Sequence, residues 1–84
     1  MNCRVLYFAR LRERFDVVEE SLELAGTPSV ADLIAHLQAR GGVWADELGA
    51  TKSFRVALNQ QLVQTDAPIP DNAEVAIFPP VTGG

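Results

Sequence analysis

Apolar positions along this chain follow two rhythms, one of period two and one near three and a half. Cys3-Arg4-Val5-Leu6-Tyr7-Phe8 is short, rich in β-formers and apolar on both parities after Arg4, which predicts a first strand. Ala9 to Phe15 reads as a connector with alternating charges and a helical flavour. From Val18 to Leu24 the alternation is cleaner, with Leu22 and Leu24 on one face and Ser21 and Glu23 on the other, the pattern of a half-buried second strand. Ala25-Gly26-Thr27-Pro28 then breaks the chain direction. Val30, Leu33, Ile34 and Leu37 switch to the i, i+3, i+4, i+7 spacing of one buried helix face. Ser29 stands at the N-cap, Asp32 completes a weaker form of the capping box, and Gly41 ends the helix in a left-handed conformation, giving a helix over 29–40.

The second half repeats the strand rhythm. Val43 to Leu48 predicts a short helix with Trp44 and Leu48 turned inward. Phe54 to Leu58 is a strand around Arg55, Asn59-Gln60 a tight turn, and Gln61-Leu62-Val63 a short return strand. Pro68, Pro70 and Asp71 mark a turn-rich stretch before the last strand, Glu74 to Phe78. The order hairpin, helix, hairpin, strand predicts an α+β fold, a β-grasp mixed sheet packed on one main helix. Residues 1–78 form that body and residues 79–84 an extended tail.

Both parities of the first and last strands are apolar: Val5 and Tyr7 against Leu6 and Phe8, Val75 and Ile77 against Ala76 and Phe78. One face packs on the helix, so the other points to a protein interface.

The tail differs from everything before it. Pro79-Pro80 removes the donors a ladder needs and favours an extended backbone, which Val81 and Thr82 continue. Gly83 and Gly84 carry no side chain, so the end fits a channel too narrow for any other residue. Drawn out, the six residues reach roughly 20 Å. The chain thus offers an unhindered carboxylate on a tether, and a carboxylate needs activation by a partner before it reacts.

Composition narrows the function. The chain has 84 residues, 48% of them hydrophobic, which suits one domain and leaves little room for a deep pocket. A net charge of −4 argues against nucleic acid, which needs a basic face. Four arginines (Arg4, Arg10, Arg12 and Arg14) precede an acidic run of Asp16, Glu19, Glu20 and Glu23. They read either as mutual surface compensation or as a patch that steers an acidic partner. No apolar run approaches the ~20 residues that cross a bilayer, and no signal peptide is visible. With a lone Cys3, no intramolecular disulfide forms, so a cytoplasmic setting is expected. One cysteine and one histidine, His36, exclude a Cys₂His₂ zinc finger, so no metal is expected. Cys3 reads as a small core residue, His36 as a solvated one, and the carboxylates form no catalytic pair.

The stretch Glu74-Val75-Ala76-Ile77-Phe78-Pro79-Pro80-Val81-Thr82-Gly83-Gly84 resembles the end of the molybdopterin synthase small subunit family. Val5-Leu6-Tyr7-Phe8-Ala9-Arg10-Leu11-Arg12-Glu13 is similar to that family's opening, and Ala57-Leu58-Asn59-Gln60 to its central strand and turn. One departure is Asp71-Asn72-Ala73, where the family usually has an Asp-Gly-Asp turn; Asn tolerates the left-handed conformation that glycine supplies. The resemblance implies a ubiquitin-like sulfur carrier. An E1-like adenylyltransferase would use ATP to form a glycyl adenylate at Gly84, and sulfur from a persulfide source would displace AMP to leave a thiocarboxylate. The tail would then insert into the molybdopterin synthase large subunit and donate sulfur to cyclic pyranopterin monophosphate, building the dithiolene of molybdopterin. No cofactor would be bound by this chain itself, which is a sulfur-donating subunit and no enzyme alone. Positions matching Phe8, Leu62 and Phe78 would contact the partners, with Pro79, Pro80, Val81, Thr82 and Gly83 carrying Gly84 into the site. The complex would be a heterotetramer. Two alternatives share fold and tail: a carrier for thiamine or cysteine synthesis, and a ubiquitin-like modifier joined to lysines.

Overall fold

The computed structural model describes residues 1–49 and 53–79. Five strands form one mixed sheet: β1 (Asn2–Tyr7), β2 (Glu19–Glu23), β3 (Arg55–Leu58), β4 (Gln61–Val63) and β5 (Ala73–Phe78), in the order β2-β1-β5-β3-β4. Among the described residues only β1 and β5 pair in parallel, with Val5 beside Val75 and Tyr7 beside Ile77. This is the expected β-grasp architecture. β5, the strand that leads to the tail, is thereby the middle strand, hydrogen-bonded on both sides.

Helix α2 (Val30–Gln38) covers one face of the sheet. Its start is a complete capping box: the Asp32 amide donates to Ser29 Oγ at 3.2 Å and the Ser29 amide to an Asp32 carboxylate oxygen at 2.8 Å. Val30, Leu33, Ile34 and Leu37 are buried against Val5, Tyr7, Val56, Val75 and Ile77, one contiguous core. Gly41, with φ +77°, closes the helix as expected.

Two findings go beyond the sequence reading. Ala9 to Phe15 is a helix, α1, that buries Leu11 and Phe15. It begins at Ala9, whose φ of +53° is a left-handed value that the sequence does not signal. The short helix α3 (Val43–Glu47) turns inward with Leu48 as expected, but it also buries the Glu47 carboxylate. Arg10 reaches that carboxylate at 2.8 Å and Arg14 at 3.4 Å, so the buried charge is paired twice and ties α1 to α3.

A second cluster joins the other end of α2 to the sheet. The Tyr7 hydroxyl donates to Glu20 at 2.7 Å, and Arg40 grips both oxygens of Glu20 at 2.7 and 2.9 Å. The Arg40 guanidinium also lies 4.5 Å over the Trp44 ring, which stacks on Phe15.

Candidate functional site

Register alone determines which side chains share the face that α2 leaves bare. Ala76 of β5 lies beside Leu6 on β1 and Ala57 on β3, and Ala57 lies opposite Leu62 on β4. A row Leu6–Ala76–Ala57–Leu62 therefore crosses four strands on one side of the sheet. Two small alanines sit between two leucines, so the middle of the row is shallow. The next row toward the tail contains Phe78 with Arg55 as its cross-strand partner. Phe8 follows Tyr7, the partner of Ile77, and so continues that row; its amide donates to the Ile77 carbonyl at 3.2 Å.

Phe8 is 41% exposed and Leu62 68%, while Phe78 is half-buried. Phe8 and Phe78 line one depression with Ala76, Gln60 and Glu74. Leu62 occupies the same face at the sheet edge, in a separate groove with Arg55 and Gln64. The three expected contact residues thus share a face, but only two of them share a depression.

The far end of this face is charged and internally paired. Arg4 reaches Glu74 at 2.8 Å and Glu19 at 3.5 Å. Of the four N-terminal arginines only Arg4 pairs with the acidic run, at Glu19, among the described residues; Arg10 and Arg14 find Glu47 and Asp46 on α3 instead, so their compensation is not local. Among the described residues Arg12 has no ion pair.

β5 stops at Phe78, immediately before the double proline, and Pro79 is half-buried. Pro80, Val81, Thr82, Gly83 and Gly84 lie outside the described residues. The tail thus starts from the end of the central strand, beside Phe8 and Phe78. The Asn59-Gln60 turn has φ of +48° and +71°, the two positive values of a type I′ turn. Asn59 also ties that turn to β5, accepting from the Glu74 amide at 3.0 Å. Asn72 takes φ +64°, so the departure from the glycine turn is accommodated.

Among the described residues, Cys3 is not prepared for nucleophilic chemistry. Cys3 is buried, and burial pushes its thiol above the ordinary range, away from the reactive thiolate. Burial also raises Tyr7, reinforced by its hydrogen bond to Glu20. His36 is exposed on α2. No helix among the described residues is long and apolar enough to cross a membrane. Among the described residues, no acid, base and nucleophile gather around one cavity.

The ThiS family model matches residues 5–84. The molybdopterin synthase sulfur carrier subunit of Escherichia coli is 44% identical over 82 residues, 96% of this chain and 98% of that protein. The subunit of the same name from Haemophilus influenzae is 37% identical over 81 residues, 95% of this chain and 96% of its own. Among solved structures, a Pyrococcus furiosus protein assigned as molybdopterin converting factor subunit 1 superposes with a TM-score of 0.83 at 31% identity, over 96% of this chain and 99% of that one. The chain belongs to the ThiS family, among the molybdopterin synthase sulfur carrier subunits.

Proposed function

We infer that this chain carries sulfur on its C-terminal glycine for molybdopterin synthase. The observation that carries the reading is the Phe-Pro-Pro-Val-Thr-Gly-Gly ending, attached to the central strand beside an uncovered apolar face, in a chain 44% identical to a named sulfur carrier subunit. The Gly84 carboxylate attacks ATP on an E1-like adenylyltransferase, pyrophosphate leaves, and a glycyl adenylate forms. The outer sulfur of a persulfide donor then displaces AMP to form an acyl disulfide, and a thiol reductant cleaves its S–S bond, leaving the thiocarboxylate on Gly84 and a disulfide on the donor. In the large subunit that sulfur passes to cyclic pyranopterin monophosphate on the way to the dithiolene.

The division of labour follows from what the body lacks. Cys3 is buried, with its thiol pushed above the ordinary range, which supports the terminal carboxylate over this thiol as the sulfur carrier. Phe8 and Phe78 anchor each partner close to the tail, Leu62 extends the contact to the sheet edge, and Pro79 to Gly83 thread the channel. A reducing cytoplasm suits both a free thiol and a thiocarboxylate.

Intact mass of the protein isolated from its own cells tests the reading. A fraction heavier by the difference between sulfur and oxygen, mapped to Gly84 and lost on alkaline hydrolysis, is the expected result. A carboxylate that stays unconverted with the adenylyltransferase, ATP and a sulfur donor supplied would overturn it.

A further inference from the structure

Arg55 is an exposed cation at the root of the tail for which the described residues supply no carboxylate partner. It stands on β3 directly across from Phe78, on the uncovered face, and is exposed. Of the other arginines, Arg4, Arg10, Arg14 and Arg40 each hold a carboxylate, while Arg12, on α1 and off this face, holds none among the described residues. Arg55 holds none among the described residues, although the chain has eleven acidic residues for seven basic ones. Nor does its guanidinium cover a ring, since the cation–π contact found among the described residues belongs to Arg40 and Trp44.

We propose that Arg55 pairs with a carboxylate of the molybdopterin synthase large subunit at the mouth of the channel that takes the tail, and so sets how the carrier is seated. This rests on the sulfur-carrier reading above.

Distance separates this role from a chemical one. Five residues follow Pro79, and drawn out they put the reacting carboxylate roughly 17 Å beyond it. An arginine side chain rooted on β3 falls far short of that point, so it touches neither a phosphate nor the transferred sulfur. What it reaches is the partner surface around the tail. Beside Phe78 that surface is desolvated on docking, and there a two-pronged guanidinium–carboxylate pair is stronger and more directional than in open water. The charged pattern of the face supports this. Its far end is already neutralised by Arg4 with Glu19 and Glu74, so a partner carboxylate finds its opposite charge at the tail end. Arg55 is therefore a positioning residue.

The test uses the full chain and its cognate large subunit, with affinity measured by calorimetry at low and high salt. Arg55→Ala is expected to weaken binding roughly tenfold and to flatten its salt dependence, and Arg55→Glu to weaken it further. Arg55→Lys restores the salt dependence but only part of the affinity, because it keeps the charge and loses the fork. Thermal unfolding of all three variants stays at the native value, since Arg55 makes no internal ion pair that the structure describes. Phe78→Ser serves as the control for the reading beneath. If it abolishes binding while the Arg55 variants bind with native affinity and native salt dependence, Arg55 has no such role and the sulfur-carrier reading stands. If the native chain itself does not bind the large subunit, the underlying reading fails first.

Discussion

The two faces of this sheet are built from the same five strands, and both carry large apolar side chains at the end near the tail, yet those side chains end up in different surroundings. On one face Val5, Val75 and Ile77 are fully buried and Val56 nearly so. On the other, Phe8 and Leu62 remain 41% and 68% exposed and Phe78 half-buried. For these apolar residues α2 makes the difference, by covering one face; the other also carries the charged Arg4, Glu74 and Arg55. Burial on the covered face supplies folding stability, while the apolar area left on the other is available only to a second molecule. The face without a helix is also the one beside which the tail begins, so on the proposed function a partner docked there would receive the terminal glycine close by.

Neighbouring residues on β5 give the strongest way to break this comparison. Ile77→Ala removes a fully buried side chain and is expected to cost about 2–5 kcal/mol in urea unfolding. Phe78→Ser, one residue on, should cost less than half as much. It should instead lower affinity for a partner enzyme by at least about tenfold, the loss typical of a central aromatic anchor. Equal losses of stability at the two positions would mean that the outer face is core, and the division between the faces would collapse.

Much of this division was legible in the sequence. Period-two alternation with apolar residues on both parities announced two usable faces, and the Ser29–Asp32 pair with the Leu33–Leu37 stripe announced the helix that takes one of them. The Asn59-Gln60 turn was legible because only a few residue types accept two successive positive φ values. What the sequence did not reveal were contacts between residues distant along the chain. Ala9 gives no sign of its left-handed backbone, so α1 read as a connector. Glu47 looks like any surface carboxylate until Arg10 and Arg14 arrive from 37 and 33 positions earlier. Arg55 read as a polar interruption in a strand; its place beside Phe78 depends on pairing between β3 and β5, which local pattern does not encode.

Acid and alkali sharpen the comparison from the covered side. The hydrogen bonds from Arg40 hold Glu20 below the usual carboxylate range, and Tyr7 adds to this. A group with a depressed folded pKa contributes stability that is present above its unfolded value and lost as pH falls through the folded one. Glu20→Gln should therefore cost about 1–2 kcal/mol at neutral pH, with the gap from the native chain narrowing as pH drops below its ordinary 4.5. Tyr7 acts in the opposite direction: its raised folded pKa contributes stability that is full below its ordinary 10 and fades as pH rises above that value. Denaturation midpoints across pH for the native chain and Glu20→Gln check both signs. A constant gap at every acidic pH would mean that Glu20 acts through packing alone.

The smallest effect asked for comes from the capping box. Ser29→Ala removes the acceptor for the Asp32 amide and leaves an orphan donor at the start of α2, an expected loss of about 1 kcal/mol. The change lies on the element that covers the inner face, and it touches neither Phe8 nor Phe78. Stability should fall by that amount while affinity for a partner enzyme, measured well below the unfolding midpoint, stays at the native value. Adding Ser29→Ala to Phe78→Ser should give the sum of the two stability losses and the binding defect of Phe78→Ser alone, since the sites share no contact that the structure describes. A binding loss from Ser29→Ala by itself would show that the helix tunes the outer face through the sheet, and the two faces would have to be treated as one coupled unit.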